Sequence, residues 1–170
     1  NIGDALYIQY NNSIESMEGL SGLQSVESFL VSNCSSLRSL QGFDNLTDVR
    51  GSFSIDNNSS LNSIFGLTKL QSVGNLLINR NNVLQSLEGL EQLITVEKSI
   101  WINNNDQILS LSGLENLNFA NEINIVENIN LTNLCSLQNI LGINVNTEVQ
   151  IRDNSFNPTR QDILDGNCSN

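Results

Sequence analysis

One pattern of apolar and polar positions recurs along this chain every 23 or 24 residues. It is clearest from Leu76 to Val96, where the sequence follows LxIxxNxxLxSLxGLxxLxxV. The position of Ile78 recurs in steps of 23, 24, 23, 24, 23 and 26 residues, at Ile8, Val31, Ile55, Ile78, Ile102, Ile125 and Ile151. A fixed period of about 20–50 residues is typical of solenoids, in which each repeat adds one coil to a stack. The chain is therefore predicted to be an all-β repeat solenoid.

Each repeat contains a triplet of the type Leu76-Leu77-Ile78, in which the first and third residues are apolar. Such alternation predicts a short strand with its outer two residues in the core. A constant period then stacks the strands in parallel and in register. The glycine column represented by Gly89 predicts a sharp corner with positive φ. The extra residue of the 24-residue coils is predicted in the turn that holds Gly51, Gly74 and Lys98.

A polar column follows the strands at a constant distance of three residues. Asparagine tolerates left-handed backbone and can bond its own chain, so a turn is predicted here. Amides stacked from coil to coil would also satisfy backbone groups that burial would leave unpaired. We predict that this asparagine ladder consists of Asn11, Cys34, Asn58, Asn81, Asn105, Asn128 and Asn154. Cys34 is expected to be a buried free thiol within it.

The C-terminal part departs from the repeat and is predicted to form a cap. Cys135 and Cys168 lie there, and a disulfide between them would staple a terminal coil that has no neighbour to cover it. A short helix is predicted to begin at Pro158 or Thr159 and to end at Gly166-Asn167, and no earlier segment has the pattern of an uninterrupted helix. We expect one continuous domain, with repeat coils over residues 1–131 and the final coil and cap over 132–170. A valine column closes the repeats, at Val26, Val49, Val73 and Val96. Ile2 falls in this column, so we expect a fragment of a longer protein.

Charge and composition argue against several functions. The net charge of −11 disfavours a nucleic-acid partner, because little here could neutralise phosphates. The chain has no run of 18 apolar residues, so no membrane span is predicted. The chain has no histidine for a nucleophile–base pair and no CxxC spacing for zinc. We therefore predict no catalytic residues, no metal and no cofactor; the Asp/Asn-rich turns are interpreted as turn chemistry rather than calcium sites.

The outward residues of the strand triplets carry the functional prediction. In chain order they are Tyr7, Leu30, Ser54, Leu77, Trp101, Asn124 and Gln150. Four of them are large and apolar, and polar residues including Arg80 and Asn103 flank them. An apolar stripe with a polar rim is typical of an interaction surface, and tryptophan and tyrosine are frequent anchors. The alternatives are an ordinary sheet surface or cover by a neighbouring domain.

The repeat, from LxIxxN through LxSLxGLxxLxSV, resembles the receptor L-domain type of leucine-rich repeat. The ending, from Leu134-Cys135-Ser136-Leu137 through Asn157-Pro158-Thr159 to Asn167-Cys168-Ser169, is similar to the cap of secreted bacterial members. The resemblance covers essentially the whole chain and implies a right-handed solenoid with parallel sheets. It also implies an extracellular or cell-surface location, in agreement with the predicted disulfide. It implies neither one ligand nor a catalytic motif.

Together these features predict an extracellular binding or adhesion module for a protein or a glycan. Its predicted binding residues are Tyr7, Leu30, Leu77, Trp101, Arg80 and Asn103. A structural spacer without a ligand of its own is the second hypothesis, and a carbohydrate-active enzyme is the third.

Overall fold

The computed structural model describes residues 3–170, so Ile2 and its place in the valine column lie outside the described residues. The strands are β1 (Leu6–Gln9), β2 (Ser25–Val26), β3 (Phe29–Ser32), β4 (Asp48–Asp56), β5 (Ser72–Asn79), β6 (Thr95–Val96), β7 (Ser99–Asn103), β8 (Glu122–Val126) and β9 (Glu148–Arg152). The helices are α1 (Gln138–Ile143) and α2 (Arg160–Leu164), with single 3-10 turns at Glu18–Leu20 and Cys135–Leu137.

The strands confirm the predicted stack of parallel coils. The sheet runs in the order β1-β3-β4-β5-β7-β8-β9, and every neighbouring pair is parallel. The Ile78 column is in register throughout, because each member pairs with the member one coil away. β2 pairs with the start of β4, and β6 pairs with the start of β5. These pairings extend the sheet to the valine column.

The extra residue of the 24-residue coils lies where it is predicted. Val49 pairs with Val73, and the register shifts before Ser52 pairs with Asn75. The two residues Arg50 and Gly51 thus stand opposite one residue of the next coil, which is the geometry of a β-bulge. The length difference is absorbed at this corner, and both flanking strand columns keep their register.

Apolar columns fill the interior of the stack. From the second coil onward the column residues are almost all inaccessible to solvent, and Leu87 is 0 % exposed. Phe29 stacks on Phe53 at 4.7 Å and meets the edge of Phe43 at 4.9 Å, which links two successive coils. Removing this apolar surface from water, at about 25 cal/mol per Å², is the main force that holds the coils together.

Glycine forms the corner of four coils, as the column predicts. Gly42, Gly66, Gly89 and Gly113 have φ between 110° and 118°. A Cβ on Gly66 would lie 2.2 Å from the carbonyl oxygen of Leu40 in the preceding coil. Both backbone angle and space therefore require glycine. The first coil differs, because Gly19 lies in the 3-10 turn Glu18–Leu20.

In each turn at the end of a strand, the residue with left-handed backbone is the one immediately before the ladder position. The sequence pattern instead indicates the ladder asparagine itself. These residues have φ of 54–59° and are Tyr10, Asn33, Asn57, Arg80, Asn104, Glu127 and Asp153. The physical reason is that the following side chain must turn inward to reach the ladder. The left-handed turn is therefore made by the residue before the ladder position. Asparagine and aspartate are favoured in this conformation, although other residue types also occupy it here.

The ladder itself is continuous from Cys34 to Asn154. The backbone N–H of each member donates to the side-chain oxygen of the member one coil further on, at 3.0–3.1 Å. Asn157 ends the series by accepting the Asn154 N–H at 3.0 Å. Asparagine suits this position because one amide both accepts from one coil and donates to another.

Asn11 departs from the predicted ladder because it is exposed, and within residues 3–170 its side-chain amide donates only to the Gln9 carbonyl of its own turn, at 2.9 Å. Cys34 explains the break. It is buried and free, as predicted. Its thiol lies 3.7 Å from the Ile8 oxygen and 3.5 Å from the Ser32 oxygen, the places an amide would donate to. A thiol is only a weak acceptor, so Cys34 offers little to the Asn11 N–H.

The C-terminal cap contains the predicted disulfide between Cys135 and Cys168. The Cys168 carbonyl also accepts from the Leu134 N–H at 2.8 Å, so the chain end is tied back onto the last coil. Helix α2 begins with Thr159 as N-cap, in a reciprocal capping box with Asp162. The predicted short C-terminal helix is confirmed, but its first helical residue is Arg160, and Thr159, one of the two predicted starts, is its N-cap.

The prediction of no earlier helix is wrong, because α1 precedes the last strand. Its six residues show no amphipathic repeat long enough to predict a helix. Tertiary contacts stabilise it instead. Arg160 donates to the carbonyl oxygens of Leu141 and Asn144 at 2.6 Å and of Thr147 at 3.0 Å, which binds the helix end to α2.

Candidate binding face

The outward residues of the strand triplets form one continuous row across the sheet. Each is the register partner of the next: Tyr7, Leu30, Ser54, Leu77, Trp101, Asn124 and Gln150. Neighbouring strands lie about 4.8 Å apart, so the row spans the whole width of the sheet. The structure therefore brings together on one face the residues that the sequence placed there.

Exposure along this row is uneven. Tyr7 is 62 % and Trp101 43 % exposed, whereas Leu30 and Leu77 are half-buried and Asn124 is 7 % exposed. Tyr7 and Trp101 are thus the most exposed apolar side chains of the row, and the less exposed leucines lie between them. Aromatic groups in such a setting offer large contact area with few rotatable bonds.

An ion pair between Arg80 and Asp56 lies at the ends of β5 and β4, close to Leu77 of the row. Arg80 donates to Asp56 Oδ2 at 2.6 Å, and its side chain remains 63 % exposed. The other oxygen of Asp56 and the side-chain oxygen of its register partner Asn79 are buried and accept no hydrogen bond within residues 3–170. Arg80 is therefore occupied by an intramolecular ion pair at the rim.

Beyond Trp101 the row becomes polar and its side chains are held in place. Glu122 accepts from Asn124 at 2.7 Å and from Ser99 at 2.9 Å. The Asn124 amide, followed by the Ser99 hydroxyl, holds the pKa of the Glu122 carboxyl below its ordinary value. Glu122 is consequently ionised at neutral pH, and it fixes the Asn124 amide.

A groove of about 290 Å³ lies at this end of the face. It is lined by Trp101, Asn103, Asn104, Asn124, Val126, Glu127, Gln150 and Arg152. Asn103, predicted as a rim residue, accepts from the Val126 N–H at 3.1 Å. The remaining predicted binding residues, Tyr7, Leu30, Leu77 and Arg80, lie outside this groove. The predicted set thus spans the face, and the structure gathers only Trp101 and Asn103 into one concavity.

Asn124, Gln150 and Glu122 are the part of the site that the binding prediction did not include. Polar residues at outward strand positions are the expected surface pattern and give no signal by themselves. The available signal was the place of Asn124 and Gln150 in the same column as Trp101, one and two coils further on. Glu122 lies in the column of Ser99 and gave no such signal.

A larger groove of about 490 Å³ lies elsewhere on the solenoid, lined by Arg38, Ser59, Ser60, Asn62, Val83, Gln85 and Gln107. It contains no aromatic side chain. It crosses four successive coils, between the column of Arg38, Asn62 and Gln85 and the column of Ser60, Val83 and Gln107. We therefore take the outward face of the sheet, rather than the larger groove, as the candidate site.

The described residues offer no arrangement for a metal site. Within residues 3–170, no three His, Cys, Asp or Glu side chains are grouped so that they could hold an ion. No helix in the described part is long and apolar enough to cross a membrane.

Comparison of the chain with protein-family models, with curated proteins and with solved structures finds no match.

Proposed function

We propose that this solenoid is an extracellular or cell-surface binding or adhesion module that recognises a protein or a glycan through the outward face of its sheet. The observation that carries the proposal is the row from Tyr7 to Gln150, with two exposed aromatic rings at a spacing set by the sheet register. Exposed aromatic residues on a rigid surface are frequent binding anchors.

The proposed location is supported by the Cys135–Cys168 disulfide, because such bonds persist in oxidising compartments. The charge of −11 disfavours nucleic acids and anionic membranes as partners. No catalytic role is proposed, since the candidate face offers no nucleophile–base pair. The receptor L-domain resemblance supports the same compartment and a binding role, and family membership is part of this proposal.

The test compares Trp101→Ser and Tyr7→Ser with the wild type on an array of extracellular proteins and glycans. Phe65→Ser is the matched control, because Phe65 is a 55 % exposed aromatic residue outside the row. We expect a ligand whose binding falls at least about tenfold, or roughly 1.4 kcal/mol, in one or both row variants and not in the control.

The spacer hypothesis predicts the opposite result. If the wild type and all three variants are equally folded and none binds any array member, a ligand-free spacer is the better description. Equal loss in Phe65→Ser would place the binding surface off the sheet face.

A further inference from the structure

The groove at the Trp101 end combines one exposed ring with amide side chains. Trp101, Asn124 and Gln150 are register partners on β7, β8 and β9, so they follow one another directly across the groove floor. Trp101 is 43 % exposed, so part of its side chain is available to a ligand. A flat apolar surface thus lies beside two groups that both donate and accept hydrogen bonds.

The lining of the groove has one side chain of each charge, although the chain as a whole is strongly acidic. Its lining contains one carboxylate, Glu127, and one guanidinium, Arg152; the other polar groups are amides. Arg152 is itself paired with Asp153 at 2.5 Å. Glu122 lies just outside this lining, and both of its oxygens already accept hydrogen bonds from Ser99 and Asn124. Within residues 3–170 Glu127 forms no ion pair, and the neutral donors on Glu122 leave its negative charge in place, so an anionic ligand is disfavoured. The amides are the remaining polar side chains of the lining, and they suit an uncharged ligand.

Several hydrogen-bonding positions in the groove remain unused. The Asn124 nitrogen is bonded to Glu122, and its oxygen receives no hydrogen bond from the residues that the structure describes. The Asn103 side-chain oxygen accepts from the Val126 N–H, and its side-chain nitrogen has no acceptor among the residues described. Gln150 is exposed, and its amide has no partner within residues 3–170. Fixed acceptors and donors therefore face the same space.

These features match the chemistry of a neutral sugar. A pyranose ring has an apolar C–H face that can lie on an indole, and hydroxyl groups that donate and accept at its edges. Asn124 is 7 % exposed and is held by Glu122, so part of the site is ordered before a ligand binds. Preorganisation of this kind lowers the entropic cost of binding.

We propose that the groove lined by Trp101, Asn103, Asn124 and Gln150 is a subsite for a neutral pyranose unit of a glycan, with the ring on Trp101 and the hydroxyls on the amides. The proposal rests on the proposed function and narrows it to one ligand class and one end of the face.

Trp101 is the only tryptophan in the chain, so its fluorescence reports on this groove alone. The experiment titrates the protein with neutral oligosaccharides of glucose, mannose, galactose and N-acetylglucosamine. Parallel titrations use uronic-acid oligosaccharides and a lysine-rich peptide. We expect a saturable change in emission with at least one neutral oligosaccharide, and an affinity that changes little between 20 mM and about 300 mM salt because neither partner needs a net charge.

The variants Gln150→Ala and Asn124→Ala should each weaken this binding about tenfold, as loss of a ligand hydrogen bond does. Gln150 is exposed, so that variant tests the site without disturbing a buried group. Gln85→Ala is the matched control, because it removes an exposed glutamine from the other groove and should leave the affinity unchanged.

Three results would overturn the inference. Response to the charged ligands alone, weakened by salt, would mean that charge rather than hydroxyl chemistry is recognised. A second such result is that no neutral oligosaccharide changes the emission, while binding of a protein ligand is still lost in Trp101→Ser. It would refute the glycan subsite but not the proposed binding face. If no oligosaccharide changes the emission and no member of the array binds, both proposals are refuted.

Discussion

At the scale of single residues, the asparagine ladder shows why one side chain is repeated at a fixed interval. Asn81 donates through its nitrogen to the oxygens of Ile55, at 3.1 Å, and of Asn79, at 2.9 Å. Its side-chain oxygen accepts from the backbone N–H of Asn58 at 3.1 Å. Asn81 is fully buried, as are its bonds to Ile55 and Asn58, and no shorter or purely apolar side chain could satisfy these groups.

We predict that Asn81→Ala lowers the free energy of unfolding by about 2–4 kcal/mol, since each unpaired buried group costs roughly 1–3 kcal/mol. Urea denaturation followed by circular dichroism measures this loss. Asn82→Ala is the control next to it in the chain; Asn82 is exposed, and its replacement should change stability by less than about 0.5 kcal/mol. Equal effects of the two changes would contradict the role assigned to the ladder.

At the scale of the elements, the cap depends on contacts between two short helices. Helix α2 has only five residues and would be unstable alone. Its start is fixed by Thr159 and Asp162, and its Arg160 binds the carbonyl groups at the end of α1. Each helix therefore exists because the other is in place against the last coil.

The capping box makes the cap sensitive to acid. The Thr159 hydroxyl and, next, the Thr159 backbone N–H hold the pKa of Asp162 below its ordinary value of 3.8. A lowered pKa in the folded state means that ionised Asp162 stabilises the fold above the unfolded-state pKa. This stabilisation is lost as the pH falls below 3.8 and through the folded-state pKa.

We predict that Asp162→Asn removes this part of the pH dependence, so that the variant and the wild type differ more in stability at pH 6 than at pH 2.5. Thermal unfolding across that range measures the difference. Asp165→Asn is the control, because it removes one negative charge from the end of the same helix without touching the capping box. A constant gap between wild type and Asp162→Asn at all pH values would contradict the prediction.

At the scale of the whole molecule, a solenoid is stabilised mainly by contacts between neighbouring coils. The last coil has a neighbour on one side only, and the disulfide between Cys135 and Cys168 compensates for this. It joins residues 33 positions apart and holds the chain end against Leu134. In the chain-entropy model, closing a loop of this length restricts the unfolded chain.

We predict that the double variant Cys135→Ser, Cys168→Ser loses about 3–4 kcal/mol of stability. Chemical denaturation of the variant and of the oxidised wild type measures the difference. Thiol titration of the unfolded, non-reduced wild type should find a single free thiol, from Cys34. Three titratable thiols, or unchanged stability in the variant, would contradict the proposed staple.

The repeat alone was enough to predict the parallel register, the buried columns, the glycine corners and the position of the bulge. A period of 23 or 24 residues has this power because every coil must repeat the contacts of its neighbours, so one correct assignment holds for all. Gly66 and Val49 lie where their columns place them for this reason. The outward row from Tyr7 to Gln150 follows from the same register.

Only the tertiary structure decided the features that depend on contacts outside the repeat. Helix α1 has no periodic signal, and it forms because Arg160, from another element, binds its terminal carbonyl groups. Asn11 leaves the ladder because its neighbour Cys34 carries a thiol in place of an amide. Asn124 gains its fixed orientation from Glu122 and so becomes part of a groove beside Trp101. A local pattern specifies what every coil shares, whereas these groups are set by partners that each occur once.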